Sequence, residues 1–209
     1  MWGETENDRC HRSTEGTDFW FGFMEGRDKD NRHVHYIEIT VTAREATTFS
    51  IYLGKSKIPY LTGSVNGNGS YQLQIPLELA EATGSETIQD KAIHLVAEKP
   101  VNVYALNWDN SSADVAVIYP VESLGKEYFA MCYTPSVVEN NLSHGRNSEM
   151  LVVASADSTN ITITPAKITD QGKPAGVPFT ILLNQGEVFQ VQSLNQNYAG
   201  QGDLTGSYI

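Results

Sequence analysis

Residues 34–54 read VHYIEITVTAREATTFSIYLG, and residues 147–165 read NSEMLVVASADSTNITITP. Each stretch is a run of alternating apolar and polar residues, a short Thr/Ser-containing polar turn, and a second alternating run. Alternation with period two, carried by β-branched and aromatic residues, is the signature of half-buried strands. In the first stretch, Ile37, Ile39 and Val41 fall on one face with His35, and Val34 and Tyr36 on the other. Residues 48–53 are expected to pair with residues 34–42 through a turn at Arg44–Thr47. Each stretch is followed by a polar loop and a further alternating segment, SYQLQIPLEL at 70–79 and EVFQVQSL at 187–194. Self-similarity at this scale predicts two related β modules in tandem. The first copy continues through KAIHLVAEKPVNVYALNW, whereas the second reaches DLTGSYI at residue 209. The second module is therefore expected to be incomplete, and the chain to be a piece of a longer multidomain protein.

Working outward, the strand pattern fills the chain. Residues 18–24, DFWFGFM, form a nearly continuous aromatic run, as expected of a strand covered on both faces. SVNGNGS at 64–70 contains two Asn-Gly steps, a hairpin signal. Residues 92–97 and 101–108 read as two strands, with Pro100 in the turn between them because proline interrupts a ladder. Residues 114–119 and 127–133 read as further strands. The second copy supplies strands at 149–154, 160–164, 177–183 and 187–192, with a turn at 184–186. Helix signals are confined to PLELAEATG at 76–84, one or two turns ending at Gly84. The fold class is all-β, with antiparallel β-sandwich modules. Expected boundaries are a polar N-terminal segment at 1–15, a first module at 16–134, a linker at 135–148 and a second, incomplete module at 149–209.

Charge narrows the function. With 14 Lys and Arg against 25 Asp and Glu, the net charge is −11. Nucleic acids and anionic membrane surfaces require a basic footprint, so neither is an expected partner. No apolar run reaches the ~20 residues of a membrane-spanning helix. Cys10 and Cys132 are the two cysteines, and their spacing leaves a disulfide and two free thiols equally open. Sequons begin at Asn110, Asn141 and Asn160.

Catalytic motifs are sparse. His33 and His35 share a strand face, but a zinc site needs three or four ligands and Glu38 has the opposite parity. No strand-to-helix phosphate loop and no Gly-x-Ser-x-Gly elbow occurs. The expectation is a non-enzyme. Asp109-Asn110-Ser111-Ser112-Ala113-Asp114 is an oxygen-rich loop of the kind hard cations favour, although it lacks EF-hand spacing. No cofactor is expected, with calcium at this loop as the alternative. Trp108, beside the loop, is the aromatic best placed to touch a ligand. The candidate ligand-binding set is Trp108, Asp109, Asn110 and Asp114.

Gly16-Thr17-Asp18-Phe19-Trp20-Phe21-Gly22-Phe23-Met24-Glu25 resembles the opening of the N-terminal domain family of IgG Fc-binding proteins. Further resembling stretches are Lys91-Ala92-Ile93, residues 100–105, Tyr119-Pro120-Val121, residues 123–128 and Asp203-Leu204-Thr205-Gly206-Ser207. The resemblance spans about residues 16–209 and is to bacterial, Bacteroidetes-type surface or secreted members. It implies a non-catalytic module outside the cell or on its surface that mediates recognition or adhesion through protein or glycan partners. A structural spacer in a long surface protein is the alternative role, and a polysaccharide hydrolase a third.

Overall fold

The computed structural model describes residues 13–26, 35–109, 112–135, 147–194 and 202–209. The organising element is β7 (Ile93–Asp109), a single strand of 17 residues. Its first half lies between β1 (Gly16–Phe21) and β3 (Thr47–Leu53), and its second half lies between β2 (His35–Ala43) and β8 (Ser112–Ile118). The edge of β3 carries β4 (Leu61–Val65), and that of β2 carries β5 (Gly69–Ile75). All these pairings are antiparallel. The result is one hydrogen-bonded network of seven strands folded over into two layers, the expected all-β sandwich. Its core is filled by alternate residues of each strand: Phe19 and Phe21, Ile37, Ile39 and Val41, Phe49 and Ile51, Leu95, Val101 and Val103.

Three local expectations are corrected by this topology. First, β2 and β3 are not paired with each other. The turn at 44–46 carries the chain from one layer to the other, and each strand finds its partner in β7. Second, the Asn-Gly turn joins β4 to β5, which also lie in different layers. It is a tight turn, with the Gly69 N–H donating to the Asn66 carbonyl at 3.0 Å and Asn68 at φ 58°, but it is not a hairpin. Third, Pro100 does not separate two strands. It sits inside β7 where the ladders change over: β3 pairs as far as Ala97 and β2 begins at Val101, while β1 jumps from Val96 to Val101 by a bulge. A residue without an N–H is tolerated at such an irregularity. The helical turn expected at 76–84 is present as α1 (Leu77–Ala80).

The second half repeats this wiring. β9 (Glu149–Val153) pairs with β12 (Val188–Gln192) as β2 pairs with β5, and β10 (Thr159–Ile163) pairs with β11 (Phe179–Leu183) as β3 pairs with β4. Turn chemistry repeats as well. The Glu187 N–H donates to the Asn184 carbonyl, and Gly186, at φ 86°, donates to the Ala154 carbonyl, matching Gly69–Asn66 and Asn68–Ala43 in the first copy. A separate core joins Met150, Ala154, Ile161, Ile163, Leu183, Phe189, Val191 and Leu204.

The two halves are interleaved. β6 (Ile88–Gln89), from the first half of the chain, extends the second-half sheet by pairing with β12. Ala82, Ala92 and Val188 form a small joint core, against which Trp20, Leu151 and Val153 pack. Thus the aromatic residues of the run are covered on both faces, Phe19, Phe21 and Phe23 by the first core and Trp20, in part, by the junction, while Met24 at its end is exposed.

Candidate functional site

Between the halves lies a cleft of about 1290 Å³. One wall is β9, from Glu149 to Val153. The opposite walls are the end of the aromatic run, the second half of β7 with β8, and residues 128–134. Among the described residues β9 pairs only with β12. Ser148 and Ala154 both bond towards the β12 side, through Ser193 and Glu187 respectively. Because bonded and non-bonded positions alternate along an antiparallel strand, the N–H and C=O groups of Leu151 and Val153 point away from β12.

Residues 125–133 belong to this arrangement in a way the sequence reading missed. Phe129 bridges Tyr208, and Tyr208 also bridges Thr164. In the first copy Trp20 pairs with His94, and His94 pairs with Tyr52 of β3. The side chains repeat too. Trp20 stacks on His94 with ring centroids 3.9 Å apart, and Phe129 lies against Tyr208 at 5.2 Å. Asp18 accepts from His94 at 2.9 Å, and desolvation, helped by the Glu127 carboxyl beside it, raises the pKa of the Tyr208 hydroxyl. The signal was present in the sequence: Gly16-Thr17-Asp18-Phe19-Trp20 and Gly125-Lys126-Glu127-Tyr128-Phe129 share glycine, acid and paired aromatics at one spacing. The environments differ. Phe19 is 0% exposed beneath β7, whereas its counterpart Tyr128 is 44% exposed.

The floor of the junction is polar and fully engaged. Gln190 is buried and donates to the Gly84 carbonyl at 2.8 Å, while its own carbonyl oxygen accepts from the Glu25 N–H at 2.9 Å. Gln192 donates to Glu149 at 2.8 Å and to Glu25 at 3.2 Å. In the first copy the corresponding Gln72 and Gln74 are exposed. Lys55 and Glu187 add an ion pair across the junction at 2.5 Å. That pair, together with the Asn184 N–H, holds the Glu187 carboxyl below its usual range.

The sequence-predicted residues sit at the far end of β7 and β8. Asp109 is buried at the cleft wall, and Asp114 is exposed there, 3.4 Å from the Tyr133 hydroxyl. Trp108 points to the opposite face of the strand and stacks on Tyr36, centroids 4.9 Å apart. Asn110 lies outside the described residues, as do His33 and Cys10. His35 bonds Asn107 at 2.7 Å and stands 3.7 Å from Glu81. No group of three or more His, Cys, Asp or Glu side chains suited to a metal ion occurs among the described residues. Cys132 is a free thiol, and its partial burial raises its pKa. No described helix is long and apolar enough to cross a membrane.

Residues 114–209 match the profile of the family described as IgGFc binding protein. A human protein named IgGFc-binding protein is 30% identical over 133 residues, covering 62% of this chain and 2% of that much longer relative. The resemblance to IgG Fc-binding proteins in general, as distinct from their bacterial members, is borne out by these matches. No solved structure matches the chain.

Proposed function

We propose that this chain, with its IgGFc-binding family match over residues 114–209, is an extracellular, non-catalytic protein-recognition module within a longer surface or secreted protein. The match is the observation that carries the reading, because the family and the human relative are both named for binding a protein. The surface is compatible with it. Val115, Met131 and Tyr133 line the cleft and are largely exposed, and apolar side chains gathered at one place on a surface are a usual mark of a protein contact. The apolar side chains of Val115, Met131 and Tyr133 suit a polypeptide's side chains better than a sugar's hydroxyls. Asp109 and Asp114, which line the cleft, together with Trp108 on the other face of β7 and Asn110 next in sequence, are the residues proposed to contact the ligand.

The test is a binding screen of the purified chain against immunoglobulin G, its Fc fragment and a panel of extracellular proteins and glycans, with and without calcium. The expected result is saturable binding to at least one protein, weakened by Asp114→Ala or Trp108→Ala. A folded chain that binds no protein while associating strongly with itself would replace recognition with a spacer role.

A further inference from the structure

We propose that Asn66 is a site of spontaneous covalent modification, at which the chain deamidates itself to aspartate and isoaspartate, and that the fold confines this reaction to one of its two Asn-Gly steps.

The reaction needs only the chain and water. The Gly67 backbone nitrogen gives up its proton to solvent and forms a bond to the side-chain amide carbon of Asn66. The bond from that carbon to Nδ2 breaks, and ammonia leaves with a proton from solvent. Water then opens the five-membered succinimide at either carbonyl. Opening on the side-chain side gives aspartate in an unchanged backbone; opening on the main-chain side gives isoaspartate, in which the backbone runs through the former side chain. Nothing is oxidised or reduced. Glycine on the attacking side favours ring closure because no Cβ obstructs the close approach. An N–H already donated to a carbonyl is held away from both the base and the amide carbon.

The two Asn-Gly steps, 66–67 and 68–69, differ on these points. Asn66 and Gly67 are both exposed, and among the described residues no acceptor holds the Gly67 N–H. At the next step the attacking group would be the Gly69 N–H, which donates to the Asn66 carbonyl at 3.0 Å. Asn68 is itself fixed, with φ 58° and its own N–H donated to the Ala43 carbonyl at 2.8 Å. The second copy contains a protected counterpart. Asn184 accepts from the Glu187 N–H as Asn66 accepts from Gly69. Gln185 stands in the place of Gly67, and its N–H donates to Asp157 at 3.1 Å.

The site also matters to the fold. A Cβ at Gly67 would lie 3.1 Å from the Arg44 carbonyl oxygen and 3.4 Å from the Ala46 nitrogen. The turn at 66–69 therefore rests on the turn at 44–46, and these are the two places where the chain steps between layers of the first module. Isoaspartate inserts a methylene into the main chain there. The carbonyl that accepts from Gly69 becomes part of a free carboxylate beside the backbone. Aspartate adds one negative charge and leaves the turn's geometry unchanged.

The experiment incubates the whole folded chain in mildly alkaline buffer and follows each asparagine by peptide mass, with electron-transfer fragmentation to identify isoaspartate. Asn66 should deamidate roughly tenfold faster than Asn68, the order that one hydrogen bond on the attacking N–H accounts for, and Asn184 should remain intact. In urea the two Asn-Gly steps should react at similar rates, which assigns the selectivity to the fold. Equal rates at Asn66 and Asn68 in the folded chain overturn the proposal. So does an Asn66 that survives in the folded chain while it is consumed in urea. The isoaspartyl form, separated by ion exchange, should melt below the Asn66→Asp variant, which carries the charge without the extra methylene. Equal melting would overturn the placement of Asn66 at a joint between the layers.

Discussion

Gly186→Ala is a sharp test of how the two halves meet. Gly186 has φ 86°, and a Cβ there would lie 2.5 Å from the Gly54 carbonyl oxygen and 2.7 Å from its carbon. Those are backbone atoms of the first half, so no side-chain rotation relieves the clash. A left-handed backbone with a Cβ costs about 1–2 kcal/mol, and forcing a methyl into a packed contact costs about 1–3 kcal/mol. Together the loss is about 2–5 kcal/mol, a fall in Tm of roughly 4–20 °C for a chain of this length. Gly172 is the control. Its φ is 83°, but a Cβ added there would meet nothing within 4 Å. Gly172→Ala therefore carries only the backbone cost, roughly 2–8 °C. The assay is paired thermal melts monitored by calorimetry and by near-ultraviolet circular dichroism. Equal Tm values for the two variants would refute the close approach of Gly54 and Gly186, and with it the interleaved junction.

Phe19→Ala should destabilise by about 3–5 kcal/mol in urea unfolding, whereas Tyr128→Ala, at the equivalent but exposed position, should cost under about 1 kcal/mol; similar values would show that Tyr128 is already covered. Burial lowers the His94 pKa, the bond from Asp18 opposing it only in part; the unfolded chain then binds more protons just below pH 6.5, so stability should fall as pH drops through that value. His94→Gln should flatten that part of the Tm–pH curve, and an unchanged slope would place the titration elsewhere. After reduction, Cys132 should react slowly with iodoacetamide at neutral pH and faster above the ordinary thiol range, because burial raises its pKa; rapid neutral labelling, read by peptide mass, would contradict that burial.

The strands themselves were legible because the period-two pattern directly records which face is buried, and Ile37, Ile39 and Val41 lie where alternation puts them. Partner choice was not legible. A short polar turn such as Arg44–Ala46 serves a hairpin or a step between layers equally well, and only the competing claim of β7 on both strands decides between them. Pro100 misled for the same reason: its missing N–H matters only if a neighbour needs it, and at the changeover of ladders none does. Trp108 and Asp114 lie on their expected strands, whereas Asp109, expected in the loop, ends β7, and the stacking of Trp108 on Tyr36 depends on cross-strand register. The cleft could not be read at all from single segments. It lies beside β9, which among the described residues has β12 alone as neighbour, whereas its counterpart β2 has both β5 and β7.

That dependence on β7 also sets a timetable for synthesis. Gly16 pairs with Val101 and Phe19 with Leu95, so the aromatic run 19–23 leaves the ribosome long before its partner strand exists. At about 5–20 residues per second, those side chains wait roughly 4–17 s without a sheet to join. Antiparallel pairing over such separations is slow to form even once the sequence is complete. The stretch that anchors the finished core is thus the one most in need of a chaperone at birth.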